Sequence, residues 1–279
     1  MKTNFAAIII DICHSRDYNE EERYYIQEKL FSIILFINNH YSKKLIKKFE
    51  FSSGDSIQAL FKNAADAFSC YFFIKTLFYP YKIRCGIGFD EINKNILNRN
   101  YESTNMFDGN AYHLASLALD DCKNDNYNFL FYSPKKEEDK IVNLLIQTVD
   151  LLNNDQTDKQ ADTFNLFNLL YPLEFDGQKK NIEITSYFDY LNSIKESFSL
   201  YKSNETKDDI IINLLYNEVF KNDILKNDHA NGFPTKMDYI CSIILDVTRQ
   251  NINKLRIAGK FDNIRKLENL VYDFLKERY

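Results

Sequence analysis

No stretch of the chain approaches the roughly 20 consecutive apolar residues that a membrane-spanning helix needs. The longest runs, FAAIII (residues 5–10) and LFSIILFI (residues 30–37), stop far short of it. The N-terminus also lacks a basic segment followed by an apolar signal core, so the expected location is cytoplasmic, with no membrane partner. The five cysteines, Cys13, Cys70, Cys85, Cys122 and Cys241, are odd in number, scattered and never spaced C-x-x-C. That pattern suggests neither a disulfide framework nor a zinc site. The four histidines do not cluster either. With a formal charge of −5 the chain is unsuited to coat nucleic acid over its whole surface, although one local basic face stays possible. No internal repeat or low-complexity tract is evident. At 279 residues the chain is long enough for one large or two to three small domains, each with its own core.

Strand and helix signals alternate from the start. FAAIIIDI (residues 5–12) is a short, apolar, β-branched run of the kind a buried strand shows, and EEERYYIQEKLFSIILFINNHY (residues 20–41) has helical apolar spacing with acids in its first turn. A hairpin, FEFSSGDSIQALF (residues 49–61), a helix over residues 64–78 and a strand, YKIRCGIGF (residues 81–89), complete a βαββαβ order. A polar loop, another helix (GNAYHLASLALDDC, residues 109–122) and another strand (YNFLFYS, residues 127–133) follow. This order predicts an α+β sheet of the ferredoxin-like kind with helices packed on one face. Residues 134–231 read as a mostly helical connecting region without evident chemistry, and residues 232–279 as a separate C-terminal helical domain.

The hairpin raises a question, because its Gly-Asp pair reverses the Asp-Gly order usual in tight hairpins. Ser52, Ser53 and Gly54 suffice for the turn, which leaves Asp55 as the first residue of the returning strand. Asp is common beside turns, where it bonds nearby backbone N–H groups, and that is one reading. The other begins from the sheet order, which makes the first strand and the hairpin neighbours and brings Asp11 to face Asp55. Two carboxylates at adjacent strand ends, with the backbone carbonyl of Ile12, form an oxygen-rich site suited to Mg²⁺, which takes few carboxylates plus substrate phosphates. A pair of such ions activates an attacking hydroxyl and neutralises a phosphoryl transition state. Gly54 would let the backbone pass close to a polyphosphate, and the N–H groups of Cys13, His14, Ser15 and Arg16, leading into the first helix, are placed to cradle its oxygens.

AAIIIDICHSRD (residues 6–17), SSGDSIQALF (residues 52–61), IRCGIGFDEI (residues 83–92) and DGNAYHLA (residues 108–115) come in an order and spacing that resembles the SatD family. The N-terminal half of that family in turn looks like the palm-type catalytic domain of class III nucleotidyl cyclases and GGDEF-type cyclases. The resemblance covers about the first half of the chain and its end. It implies a cyclase-like palm over residues 1–133 with Mg²⁺ (or Mn²⁺) at Asp11, Ile12 and Asp55 and a nucleotide partner; a homodimer is one assembly open to such a chain. Two departures weaken the catalytic half of the pattern. His113 and Leu117 occupy the positions where class III cyclases carry an Asn and an Arg, and Ser56 stands where SatD-like sequences commonly have an acid.

His113, on an apolar helix, reads as a packed histidine or a nucleotide contact. Arg84 is placed to pair with an acid of the sheet or to reach a phosphate, the ion pair being favoured. GIG (residues 86–88) is too short to be a phosphate loop, and Cys13 and Cys85 read as inert core thiols. The C-terminal segment TKMDYICSIILDVTRQNINKLRIAG (residues 235–259) has the form of a helix-turn-helix. Thr235 is placed to cap the first helix and Thr248 the second, with Leu245, Asp246 and Val247 as the turn. Arg249, Gln250 and Asn251 would then reach base edges, while Asn253, Lys254 and Arg256 continue toward phosphates. From Thr235 onward nine Lys and Arg face six Asp and Glu, which fits a local DNA-facing surface; SatD-like proteins also end in such a motif. The alternative for this segment is a helical hairpin used for packing or dimerisation. Three functions follow as expectations: a nucleotide- and Mg²⁺-binding regulator that binds DNA, the leading one; an active nucleotidyl cyclase or related nucleotidyltransferase whose C-terminal helices serve as a partner surface; or a fully degenerate palm acting in assembly.

Overall fold

The computed structural model describes residues 3–53, 55–92, 109–173, 232–234 and 236–279. Gly54 and Thr235 lie outside the described residues, as do the loop expected after residue 92 and most of the connecting region. The chain divides into two units, Met1–Asp150 with Leu270–Tyr279, and Leu151–Asn269. No helix among the described residues is long and apolar enough to cross a membrane.

The first unit is a mixed α+β structure. Its elements run β1 (Thr3–Ile12), α1 (Glu20–His40), β2 (Leu45–Ser53), β3 (Ser56–Phe61), α2 (Ala64–Phe78), β4 (Ile83–Ile92), α3 (Asn110–Asp125), β5 (Phe129–Tyr132) and α4 (Lys136–Asn154). The five strands form one sheet in the order β2-β3-β1-β4-β5. β1 pairs antiparallel with β3 and β4, β2 antiparallel with β3, and β5 parallel to β4. The central position of β1 explains its composition, since a strand flanked on both edges and covered on both faces reads as a continuous apolar run.

Helices cover both faces of the sheet, not one as the element order suggested. Phe5 and Ala7 of β1 cluster with Ala111, Tyr112 and Ala115 of α3. Leu130 of β5 joins the α3 residues Ala118 and Cys122, while its neighbour Phe129 meets Phe68 and Tyr71 of α2 across the opposite face, at centroid distances of 5.6 and 5.1 Å. Alternation within a strand forces this split, because successive side chains point to opposite faces.

Two glycines let α3 lie directly on β4. A Cβ at Gly86 or Gly88 would collide with the α3 backbone, at Ala115 O for the first and at Ala111 O and Ala115 N for the second. The GIG segment is therefore a seat for a helix. The end of the chain also belongs to this unit. The Tyr279 ring packs on Phe89 and Phe131, and its hydroxyl donates to Asp139 Oδ1 at 3.2 Å. Asp139 in turn accepts from the Ser133 N–H and hydroxyl at 2.7 and 2.6 Å.

In the second unit, α5 (Asp158–Leu170) is followed among the described residues by α6 (Met237–Ile244), α7 (Arg249–Ala258) and the first half of α8 (Phe261–Arg278), whose residues from Leu270 onward belong to the first unit. Phe164 and Phe167 of α5 pack on Phe233 and Phe261 to form its aromatic core.

Candidate functional site

At the C-terminal end of β1, Asp11 is paired in register with Ser56 of β3 on one side and Arg84 of β4 on the other. Asp55 immediately precedes Ser56 and is half-buried in the turn before β3. The returning strand thus begins one residue later than the sequence suggested, and Asp55 belongs to the turn. Its carboxylate takes no hydrogen bond or ion pair from the described residues. Ile12 closes β1 with its side chain buried.

Among the described residues the Asp11 carboxylate has two partners. Ser56 Oγ donates to Oδ1 at 3.2 Å, and Lys123 Nζ, in the last turn of α3, sits 2.9 Å from Oδ2. Side-chain exposure is 13% for Asp11 and 42% for Lys123, so the ion pair is sheltered at its acid and open at its ammonium. Arg84, expected to pair with an acid of the sheet, instead donates from Nη2 to Asn126 Oδ1 at 3.4 Å. Asn126 is the left-handed C-cap of α3, at φ 58°. Neither Lys123 nor Asn126 carried a signal in the sequence. A lysine in the last turn of a helix complements the macrodipole, and an Asn just beyond it is an ordinary cap.

One expectation about the loop after β1 is corrected, that of a free Cys13 N–H. The Cys13 N–H is already used, donating to Lys82 O at 2.9 Å, because the ladder between β1 and β4 runs one residue past the strand. The Cys13 thiol is buried, and desolvation raises its pKa, as it does for Cys85 and, up to about 12, for Cys122. These are inert core thiols. Residues 13–17 form a turn ahead of α1, which starts at Glu20 as expected. Its N-terminus is closed by a capping box between Asn19 and Glu22 and carries Glu20, Glu21 and Glu22 in the first turn, which makes it repellent to phosphate. His14, at φ 56°, pairs with Asp17 at 3.4 Å; Arg16 is exposed and Ser15 half-buried.

His113 is exposed on α3, as is Leu117 four residues on, so the histidine is not packed. Both lie on the solvent side of a helix whose other side holds Ala111, Ala115 and Ala118 against the sheet.

Among the described residues no three His, Cys, Asp or Glu side chains stand close enough to cage a metal ion. Mg²⁺ seldom uses such a cage and binds through one or two carboxylates, waters and substrate phosphates. Asp11 and Asp55 with the Ile12 carbonyl supply oxygen donors of that kind, and the ammonium on Asp11 Oδ2 marks where a cation rests. The donor chemistry is of the kind a divalent cation takes, and the cation now resting on Asp11 is the Lys123 ammonium.

In the second unit, α6 and α7 are joined by a Schellman turn. Val247 N–H donates to Ser242 O at 3.0 Å, Asp246 N–H to Ile243 O at 3.3 Å, and Asp246 takes φ 53° where glycine is usual. Thr248 caps α7, its hydroxyl accepting from Asn251 N–H at 3.3 Å. Thr248, Arg249, Gln250, Asn251 and Lys254 are exposed along α7. Asn253 is engaged internally, donating to Asp238 Oδ2 at 3.1 Å.

Arg256 is not a phosphate contact. It is 8% exposed and spends its guanidinium inside the unit: Nε and Nη2 donate to Asp262 at 2.8 and 2.7 Å, Nη1 to Asp238 at 3.0 Å, and Nη2 to Phe233 O at 2.6 Å. Burial opposes its charge, but the bonds from Asp262 and Asp238 outweigh it and hold the pKa above the usual value.

The SatD family profile matches residues 5–192, about two-thirds of the chain, and the protein belongs to the SatD family. No curated protein matches the chain. Two solved structures of a bacterial light-regulated adenylyl cyclase are similar to it with TM-scores of 0.35 and 0.34, at 13% and 15% identity. Each match covers 47% of this chain, and 43% and 76% of the respective cyclase chains.

Proposed function

We propose that this SatD-family chain is a nucleotide-binding regulator: a ferredoxin-like palm that takes a nucleoside triphosphate with Mg²⁺ at the ends of β1 and β3, and a helix-turn-helix that meets DNA through α7. The observation that carries the first half is the register Asp11↔Ser56, which brings the turn residue Asp55 beside the end of β1. The β2-β3-β1-β4 order with every neighbour antiparallel supports the palm, β5 being an addition at one edge. Binding is favoured over turnover because His113 and Leu117 offer α3 no guanidinium or amide with which to steady a transition state.

Calorimetric titration of the full chain with each nucleoside triphosphate, in Mg²⁺ and in EDTA, tests the site. Asp55→Ala is expected to abolish Mg²⁺-dependent affinity while the unfolding midpoint stays at or above wild type, since removing one of two neighbouring carboxylates relieves repulsion. Affinity indifferent to both EDTA and Asp55→Ala would remove the metal from the reading.

For the DNA half, the support is the cap-turn-cap geometry and the exposure of Arg249, Gln250, Asn251 and Lys254. Lys254→Ala is expected to weaken specific and random duplexes about equally and to lower the salt slope by roughly one. A wild-type chain that retains no duplex at low salt would leave α6 and α7 as a packing element.

A further inference from the structure

We infer that Lys123 is a residue of the strand-end site, resting on Asp11 while the site is free of metal and turning to the phosphates of a polyphosphate ligand when a divalent cation takes its place. This rests on reading that site as one for metal and nucleotide. Asp11 offers a cation little room beside its present partners: Oδ1 already accepts from Ser56 Oγ, and Oδ2 holds the Lys123 ammonium at 2.9 Å. An ammonium and a dication repel each other too strongly to share one carboxylate oxygen. Metal binding therefore displaces Lys123, and the displacement is cheap. The ammonium end is the exposed partner of the pair, carried on a flexible four-carbon stem, and so open a pair contributes little. The freed ammonium stays at the last turn of α3, at the same end of the sheet as Arg84 and Asn126. A polyphosphate arriving with the metal supplies there the negative charge that the ammonium has lost.

The role predicts opposite effects on two ligands, which a merely structural role would not produce. The probe is Mn²⁺, followed by its paramagnetic resonance signal on the full-length chain, alone and then saturating with a nucleoside triphosphate titrated in. Lys123→Met is expected to bind Mn²⁺ alone about two- to fivefold more tightly than wild type, having lost the competing charge. The same variant is expected to bind the triphosphate about tenfold more weakly, having lost a phosphate partner. Lys123→Arg, which keeps the charge, should stay within about twofold of wild type for both. Unchanged Mn²⁺ affinity in Lys123→Met, or both affinities falling together, overturns the inference while leaving the site reading intact. If neither wild type nor Lys123→Met binds Mn²⁺, the site reading falls and takes the inference with it.

Discussion

Arg256→Ala is expected to cost the second unit about 3–5 kcal/mol of stability, enough to unfold it at moderate temperature. The cost comes from what is left behind. Asp238 is 3% exposed, and without the guanidinium it becomes an unpaired charge in the interior, while Asp262 loses two of its donors and the carbonyls of Phe233 and Pro234 lose theirs. The Arg256 guanidinium also lies 5.7 Å from the Phe167 ring centroid, so the truncation opens the aromatic core as well. Denaturant unfolding, with hydrogen exchange on α6 and α7 to assign the loss to this unit, measures the effect. A phosphate contact on the surface would leave stability within about 0.5 kcal/mol of wild type, and that result would restore the DNA-facing role. A second variant separates lost packing from stranded charge. Combining Arg256→Met with Asp238→Leu removes the acid with its partner and should recover part of the loss.

The misreading of Arg256 has a definite cause. Ile252 and Arg256 lie four residues apart, hence on one face of α7, and Ile252 is wholly buried. The spacing held the answer, since the charge of a basic residue does not report which face of its helix it occupies. The strand-end site shows the opposite balance. The pairing of Asp11 with the hairpin followed from element order alone, because a βαββαβ chain places its first strand beside its third. The cation on Asp11 did not follow, since Lys123 is 112 residues away in sequence and reaches Asp11 only through the packing of α3 on β4. The number of layers was hidden for a related reason. β1 is apolar at nearly every position and shows no alternation, so its sequence reports burial without saying whether one face or two are covered. The bounds of α2 match the expected residues 64–78, with Asn63 capping its start and Pro80 standing two residues beyond its end.

Gly88→Ala is expected to destabilise the first unit by about 3 kcal/mol or more, at the upper end of what overpacking costs, and Gly86→Ala by a similar amount. The obstacle is backbone, which cannot rotate away as a side chain does. A Cβ at Gly88 meets the Ala111 carbonyl and the Ala115 nitrogen, with Leu114 Cβ a further 2.8 Å contact, and one at Gly86 stands 2.6 Å from Leu119 N. Relief requires α3 to lift off the sheet along much of its length. That would break the cluster of Phe5, Ala7, Ala111, Tyr112 and Ala115 and open voids of the kind that make large-to-small core substitutions expensive. The consequence extends to function because α3 also carries Lys123. Lifting the helix draws the ammonium away from Asp11, so a Gly88→Ala chain that still folds should bind Mn²⁺ more tightly even as it becomes less stable, a combination that ordinary destabilisation does not give. Hydrogen exchange should show the α3 amides losing protection first. If Gly88→Ala instead unfolds within about 0.5 kcal/mol of wild type with α3 fully protected, the close seating of α3 on β4 is wrong, and the route by which Lys123 reaches Asp11 has to be redrawn.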